Sequence, residues 1–279
     1  MESGAVPGQL NLLGELQIEK PQPLPQQHEK GLDQSPDQSP DQSLDASPRE
    51  PSVQTLLILD TETSGLEPES DHCLEIGAIL FDVPSRQVLA QMSCLLPVAS
   101  NAAEAINRIP AAVTRLPQPW KAGLDYFQTL LNAADLLVAH NAAFDRQWLG
   151  RGHLPATNLP WLCTMEDIRW PRDKQLRSRP SVRDLALAYE IPVWAAHRAL
   201  TDCVYLAEVF RRCDQLEQLI EQGMEPRTLM RAQISYDDRQ LAREAGFRWN
   251  DPVKGAWSRR LSRREAEDLP FPVVVQYES

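Results

Sequence analysis

Asp60 and Glu62 stand one residue apart at the end of a wholly apolar run, Leu56 to Leu59. Side chains alternate along an extended strand, so both carboxylates point to one side. Two neighbouring acids repel and raise each other's pKa. Bound divalent cations remove that conflict, and oxygen-only ligands favour Mg²⁺ or Mn²⁺ over zinc. Two further acids are aimed inward. Asp202 falls on a helical stripe with Tyr205, Leu206, Val209, Phe210 and Cys213, and Asp145 shares a helical face with Trp148 and Leu149. A carboxylate on a core-facing stripe needs a cationic partner. The set predicts a site for two metal ions.

The elements that position these acids follow from hydrophobic periodicity. Leu56 to Leu59 reads as a central strand covered on both faces. Further strands are expected at Cys73 to Phe81, Val88 to Leu96 and Leu136 to His140, and helices at Trp120 to Leu131, Ala142 to Leu149, Val182 to Tyr189 and Leu200 to Leu219. Adjacent antiparallel strands followed by alternating strand and helix predict an α/β fold with a mixed sheet flanked by helices.

Three motifs at these positions resemble the DEDDh, or DnaQ-like, 3′-to-5′ exonucleases, which include the epsilon proofreading subunit of bacterial DNA polymerase III. Asp60-Thr61-Glu62-Thr63-Ser64-Gly65-Leu66 is followed by Glu75-Ile76-Gly77-Ala78, similar to the family's second strand. His140-Asn141-Ala142-Ala143-Phe144-Asp145 lies at a strand-to-helix junction, and His197-Arg198-Ala199-Leu200-Thr201-Asp202 has the His-x-x-x-x-Asp spacing of the branch that uses histidine. The resemblance covers residues 55 to 215 and implies a ribonuclease H-like fold. It implies that Asp60, Glu62 and Asp202 hold one metal, that Asp60 bridges to a second reached by Asp145, and that His197 is the general base. It further implies that Thr63, Leu66, His140 and Asn141 contact substrate and that nucleoside 5′-monophosphates leave from 3′ ends. On their residue types alone Asn141 is better suited to capping the helix that follows, His140 reads equally as a core histidine, and Leu66 also reads as a loop leucine packing locally. DNA is the expected substrate, in proofreading or repair. RNA trimming is the alternative, and a non-catalytic clamp- or DNA-binding adaptor is a third reading.

Where many relatives carry a His-Gly-Ile-Thr-like segment, this chain reads Asn107-Arg108-Ile109-Pro110. The loop from Trp170 to Pro180 is basic and is a candidate for holding the incoming strand, as a solvated charge run also would read.

A net charge of −11 is unusual for an enzyme of polyanions, but it is unevenly spread. Residues 1–52 carry nine acids against three bases, with Pro- and Gln-rich stretches and the tandem DQSP-DQSP-DQSL-DASP. That composition predicts a disordered acidic tail. Within it, Gln9-Leu10-Asn11-Leu12-Leu13 resembles the short peptide by which bacterial replication proteins bind a sliding clamp, so Gln9, Leu10, Leu12 and Leu13 are candidate clamp contacts. The exonuclease domain is expected over 53–220, a linker over 221–230, and a small basic α+β module over 231–279. From Arg227 to Arg264 ten Lys or Arg face four acids. In the module a short helix capped by Ser235 and a hairpin turn over Asn250 to Gly255 are expected. Arg248, Trp249, Trp257 and Arg259 are candidates for nucleic-acid contact, although the tryptophans equally suit the module's core. Five scattered cysteines without Cys-x-x-Cys spacing fit reduced thiols. No basic start precedes an apolar stretch and no run of about 18 apolar residues occurs, so a cytoplasmic protein without membrane span is expected.

Overall fold

The computed structural model describes residues 53–195 and 197–277. The candidate clamp peptide lies outside them. Strands β1 (Thr55–Thr63), β2 (Cys73–Asp82) and β3 (Gln87–Leu95) form an antiparallel meander. Short helices α1 (Glu104–Asn107) and α2 (Ala111–Thr114) lead to α3 (Trp120–Asn132), β4 (Leu136–Ala139), α4 (Ala142–Arg146) and β5 (Trp161–Cys163). Then come α5 (Val182–Ala188), α6 (Ala199–Arg211) and α7 (Leu216–Gly223). The sheet order is β3-β2-β1-β4-β5, and β4 and β5 run parallel to β1. The expected mixed sheet flanked by helices is therefore present.

β1 is central because both of its faces are apolar. Leu56 and Ile58 pack with Cys203, Leu206, Val209 and Phe210 of α6, whereas Leu57 and Leu59 pack with Phe127, Leu130 and Leu131 of α3. Each of the large α6 side chains stabilises the fold by about 1.5–3 kcal/mol on burial. The helix expected over Leu200 to Leu219 is in fact two. It turns between Arg212 and Gln215, and Cys213 within the turn and Leu216 just after it remain buried in one core, so the apolar stripe continues where the helix does not. The helix after His140 is also shorter than expected, ending at Arg146. β5, only three residues long, gives too short a pattern to be read from sequence.

The C-terminal module contains β6 (Thr228–Ala232), α8 (Arg239–Glu244), β7 (Arg248–Trp249), β8 (Trp257–Leu261), α9 (Arg263–Glu267) and β9 (Val273–Val275), with a sheet ordered β7-β8-β6-β9. The stretch 221–230 holds the end of α7 and the start of β6 rather than a free linker. Met230, Phe247, Leu261 and Phe271 make the module's core, with Trp257 packed against it, while Trp249 is 57% exposed. The hairpin turn falls over 250–256, as expected, but the short helix starts later than Ser235, which instead accepts from the backbone N–H of Asp238. All five cysteines are free thiols. Among the described residues no helix is long and apolar enough to cross a membrane.

Candidate active site

Asp60, Glu62 and Asp202 converge at the end of β1, with one carboxylate oxygen of each lying within 4.8 Å of the other two. Two come from one strand face and the third from the first turn of α6. Two β2 residues make this convergence happen. Gly77 is the cross-strand partner of Asp60, and a Cβ there would lie 2.3 Å from the Leu200 nitrogen and 2.4 Å from the Ala199 carbonyl carbon. The helix start thus rests directly on the bare strand backbone. Glu75, the partner of Glu62, is 1% exposed and holds that same helix start. It accepts from Arg198 Nε and Nη2 at 3.0 and 2.9 Å, from the Ala199 N–H at 3.2 Å and from the Ser93 hydroxyl at 2.9 Å. Sequence alone assigns this role to none of Gly77, Glu75 and Arg198, although all three lie within the family-like motifs.

Glu75→Gln removes the charge that pairs with Arg198 and is expected to destabilise the fold by about 2 kcal/mol, as loss of a charged hydrogen bond does. Urea melts of the metal-free protein measure this, and an unchanged midpoint would mean that Arg198 finds water as good a partner.

Without a cation the cluster is electrostatically unfavourable. Burial, then the charges of Asp145, Asp202 and Glu62, push the Asp60 carboxyl well above its usual range. Burial and the Glu75 charge push Glu62 up to about 8. Burial also raises Asp202, opposed in part by the backbone of Arg198 and the charge of His197. An all-oxygen donor set whose carboxyls are all shifted upward for want of counter-charge fits a hard divalent cation.

Asp145 stands apart from the triad. It is 1% exposed, and its Oδ1 accepts from the Thr61 backbone N–H at 3.0 Å and from the Thr61 hydroxyl at 2.8 Å. Thr61 points to the opposite sheet face from Asp60 and Glu62, so it ties α4 to the metal strand from behind. Burial pushes Asp145 up to about 7 against those two hydrogen bonds. His197 is exposed, with φ of 60°, one residue before Arg198.

The remaining candidates lie around this centre. Thr63 is buried and donates to the Gly65 carbonyl at 2.6 Å, while Leu66 is 73% exposed. Asp71 pins this loop by accepting from the Ser64 hydroxyl and the Glu67 N–H. His140 Nδ1 lies 2.8 Å from the Thr164 hydroxyl, and burial lowers the ring to about 4, so it is neutral at physiological pH. Asn141 takes a left-handed φ of 69° and leaves its exposed side chain out of any cap bond, contrary to the capping role expected for it. The Asn107-Arg108-Ile109-Pro110 segment is structural: buried Asn107 donates to the Thr63 carbonyl at 3.1 Å and so buttresses the end of β1.

A family model described as "Exonuclease" matches residues 57–210, a span that holds all four acids and His197. The chain belongs to the exonuclease family. Its DnaQ-like character, read from the three motifs, agrees with 27% identity over 159 residues to the DNA polymerase III subunit epsilon of Treponema pallidum, covering 54% of this chain and 72% of that protein. The exonuclease is also 25% identical over 161 residues to a PolC-type DNA polymerase III of Thermotoga petrophila, of which it spans 12%. Among solved structures, an Escherichia coli exonuclease I in complex with a dT13 oligonucleotide shares the fold at a TM-score of 0.50 and 16% identity, covering 68% of this chain and 50% of that one. A structure of exonuclease X in complex with 5′ overhanging duplex DNA is 29% identical at a TM-score of 0.45, covering 60% of this chain and 99% of that one. A separate family model, a domain of unknown function, matches residues 228–276 of the exonuclease.

Proposed function

We propose that the enzyme hydrolyses the 3′-terminal phosphodiester of a DNA strand and releases nucleoside 5′-monophosphates, in proofreading or repair. The observation that carries this reading is the meeting of Asp60, Glu62 and Asp202 within 4.8 Å, from two elements locked together by Glu75 and Gly77. Asp60, Glu62 and Asp202 would hold one Mg²⁺ or Mn²⁺, and Asp60 and Asp145 are the residues that would serve a second. Such ions, when bound, would supply Lewis-acid chemistry for activating water and stabilising the departing oxygen. His197 serves as the general base for the attacking water; its exposure at the rim, before the helix that carries Asp202, suits a base that meets solvent and substrate together. Leu66, exposed just beyond the metal strand, packs against the terminal base, and Thr63, His140 and Asn141 shape the surrounding pocket.

The similarity to a polymerase III subunit supports a role at primer ends. Gln9, Leu10, Leu12 and Leu13 would then hold the enzyme on a sliding clamp by effective concentration. Binding to the clamp that survives Gln9→Ala combined with Leu12→Ala would rule that peptide out.

The deciding experiment is a gel assay of 5′-labelled single-stranded DNA and RNA with Mg²⁺ or Mn²⁺, beside His197→Ala. A descending ladder that requires the metal and His197 supports the reading, and the faster substrate assigns the sugar. Folded protein that produces no ladder on either strand would move the adaptor reading to first place.

A further inference from the structure

The basic loop and the basic module do not stand apart as two solvated surfaces. Their arginines meet in a seam. Glu265, which completes the capping box of α9 by accepting from the Ser262 N–H, also accepts from Arg169 Nε at 2.8 Å and from Arg227 Nη2 at 3.1 Å. Arg227 Nη2 donates as well to the Asp167 carbonyl at 2.9 Å. These contacts fasten the module to the segment that leaves β5.

Beside this fastening, charge is left over. Arg179 Nη2 and Arg248 Nη2 both converge on one oxygen, Oε1, of Glu166, the second at 3.3 Å. Arg259 lies against the same junction, where a Cβ on Gly246 would lie 2.9 Å from its Nη1 and 3.0 Å from the Ser178 Cβ. Four guanidinium groups thus share Glu166, Asp167 and Glu265, with Asp251 taking Arg248 Nη1 only at the solvent rim, at 2.6 Å, while the fifth, Arg259, donates to the Ala245 carbonyl and pairs with none of these carboxylates. Two donors among them, Arg169 Nη2 and Arg179 Nε, are buried and have no hydrogen-bond partner among the described residues. Glu166 is 41% exposed at its side chain, more than Asp167 or Glu265, so it can swing into solvent.

Planar guanidinium forks match the several oxygens of a phosphate better than one shared carboxylate oxygen. The location suits this chemistry. β1, β4 and β5 are parallel, so the ends of β5 and β1 lie on the same edge of the sheet, two strands or about 10 Å apart. Glu166 is two residues beyond Thr164, which meets His140 at the end of β4.

We infer that the seam between the exonuclease domain and the C-terminal module is a phosphate seat that grips a backbone phosphodiester of the substrate strand, with Glu166 as its internal counter-ion. This rests on the nuclease reading of the neighbouring site and assigns to the module the task of completing the grip. Salt dependence tests it. Binding of a fluorescent oligo(dT) is followed by anisotropy in EDTA, where no turnover occurs, at a series of salt concentrations. Each phosphate contact to a single strand contributes about 0.7 to the slope of log affinity against log salt. Arg179→Gln with Arg248→Gln is expected to weaken binding about 10-fold or more at low salt and to flatten the slope by about 0.7–1.4. Glu166→Gln, at a half-exposed position, is expected to tighten binding about 3-fold or more by removing the competing carboxylate, with folding of the variant checked by circular dichroism.

Affinity within twofold of the parent in both variants, with slopes unaltered, would reduce the seam to a brace between domains and overturn the inference. Inorganic phosphate tested alone should compete weakly; phosphate as effective as the strand would overturn the assignment to a strand. Because the assay reads binding, its failure is separate from a failure of cleavage in the ladder experiment.

Discussion

Asp60→Asn is expected to slow metal-dependent cleavage by at least about 10³-fold, equivalent to about 4 kcal/mol of lost transition-state stabilisation, and at the same time to raise the melting temperature of the metal-free protein. The two effects have one cause. Asp60 is held where a cation belongs, so its charge is unfavourable without one and useful with one. The sign of the pH dependence follows. Glu62 is raised from a usual value of 4.5 to about 8, and Asp60 is raised likewise. Between those limits the folded metal-free protein keeps protons that the unfolded chain has released. Its stability therefore falls as pH rises through that window, and the penalty is complete above the folded-state pKa. Removing one member of the cluster relieves about 1–3 kcal/mol near pH 8 once solvent access to the open side is discounted, or about 3–10 °C in a fold of this size.

Metal competes with the same protons, so binding releases them and tightens as pH rises. Thermal melts of the parent and of Asp60→Asn, with EDTA or Mg²⁺, from about pH 5 to about pH 8 check all of this. The parent's melting temperature should decline with pH in EDTA and recover in Mg²⁺, and the variant should show less of both. A metal-free variant less stable than the parent would mean that the carboxylate is a structural partner rather than a ligand in waiting.

The acids were legible because each violates a local rule. Asp60 ends an apolar strand, Asp202 sits on an apolar helical stripe, and neither position favours a charge without a partner. The strands and long helices were legible because their periods are long enough to count. What could not be read is whatever depends on tertiary pairing. Glu75 looks like an ordinary charge in a strand until Arg198, 123 residues later, closes on it. The break between α6 and α7 leaves no mark, because Cys213 and Leu216 keep the stripe unbroken across it. The arginines in and beside the 170–180 loop and the module read as free basic surface, yet Arg169, Arg179, Arg227 and Arg248 are engaged with carboxylates. Sequence gives the number of charges in a segment, and only the fold says which of them are already answered.

Gly77→Ala should be the most damaging single methyl in the protein. Gly77 has an ordinary strand backbone, so the requirement for glycine is purely steric. The added carbon would meet the Leu200 nitrogen at 2.3 Å, the Ala199 carbonyl carbon at 2.4 Å and the Leu200 Cα at 2.7 Å. All three are backbone atoms of a helix start, so no side chain can rotate away. The helix must lift from the sheet by about 1 Å to restore van der Waals distance. That motion draws Asp202 away from Asp60 and Glu62, which stay on β1, and strains the Glu75–Arg198 pair that closes the same joint. A misplacement of about 1 Å in a catalytic constellation reduces rate by roughly 10²-fold, and overpacking of this kind destabilises by about 1–3 kcal/mol. The two losses separate experimentally: at a temperature where the variant is fully folded by circular dichroism, cleavage should still be about 10²-fold slower and half-maximal activation should need more Mn²⁺. Activity within twofold of the parent under those conditions would show that α6 can rise without carrying its carboxylate out of reach, and that the contact at Gly77 fixes the fold but not the site.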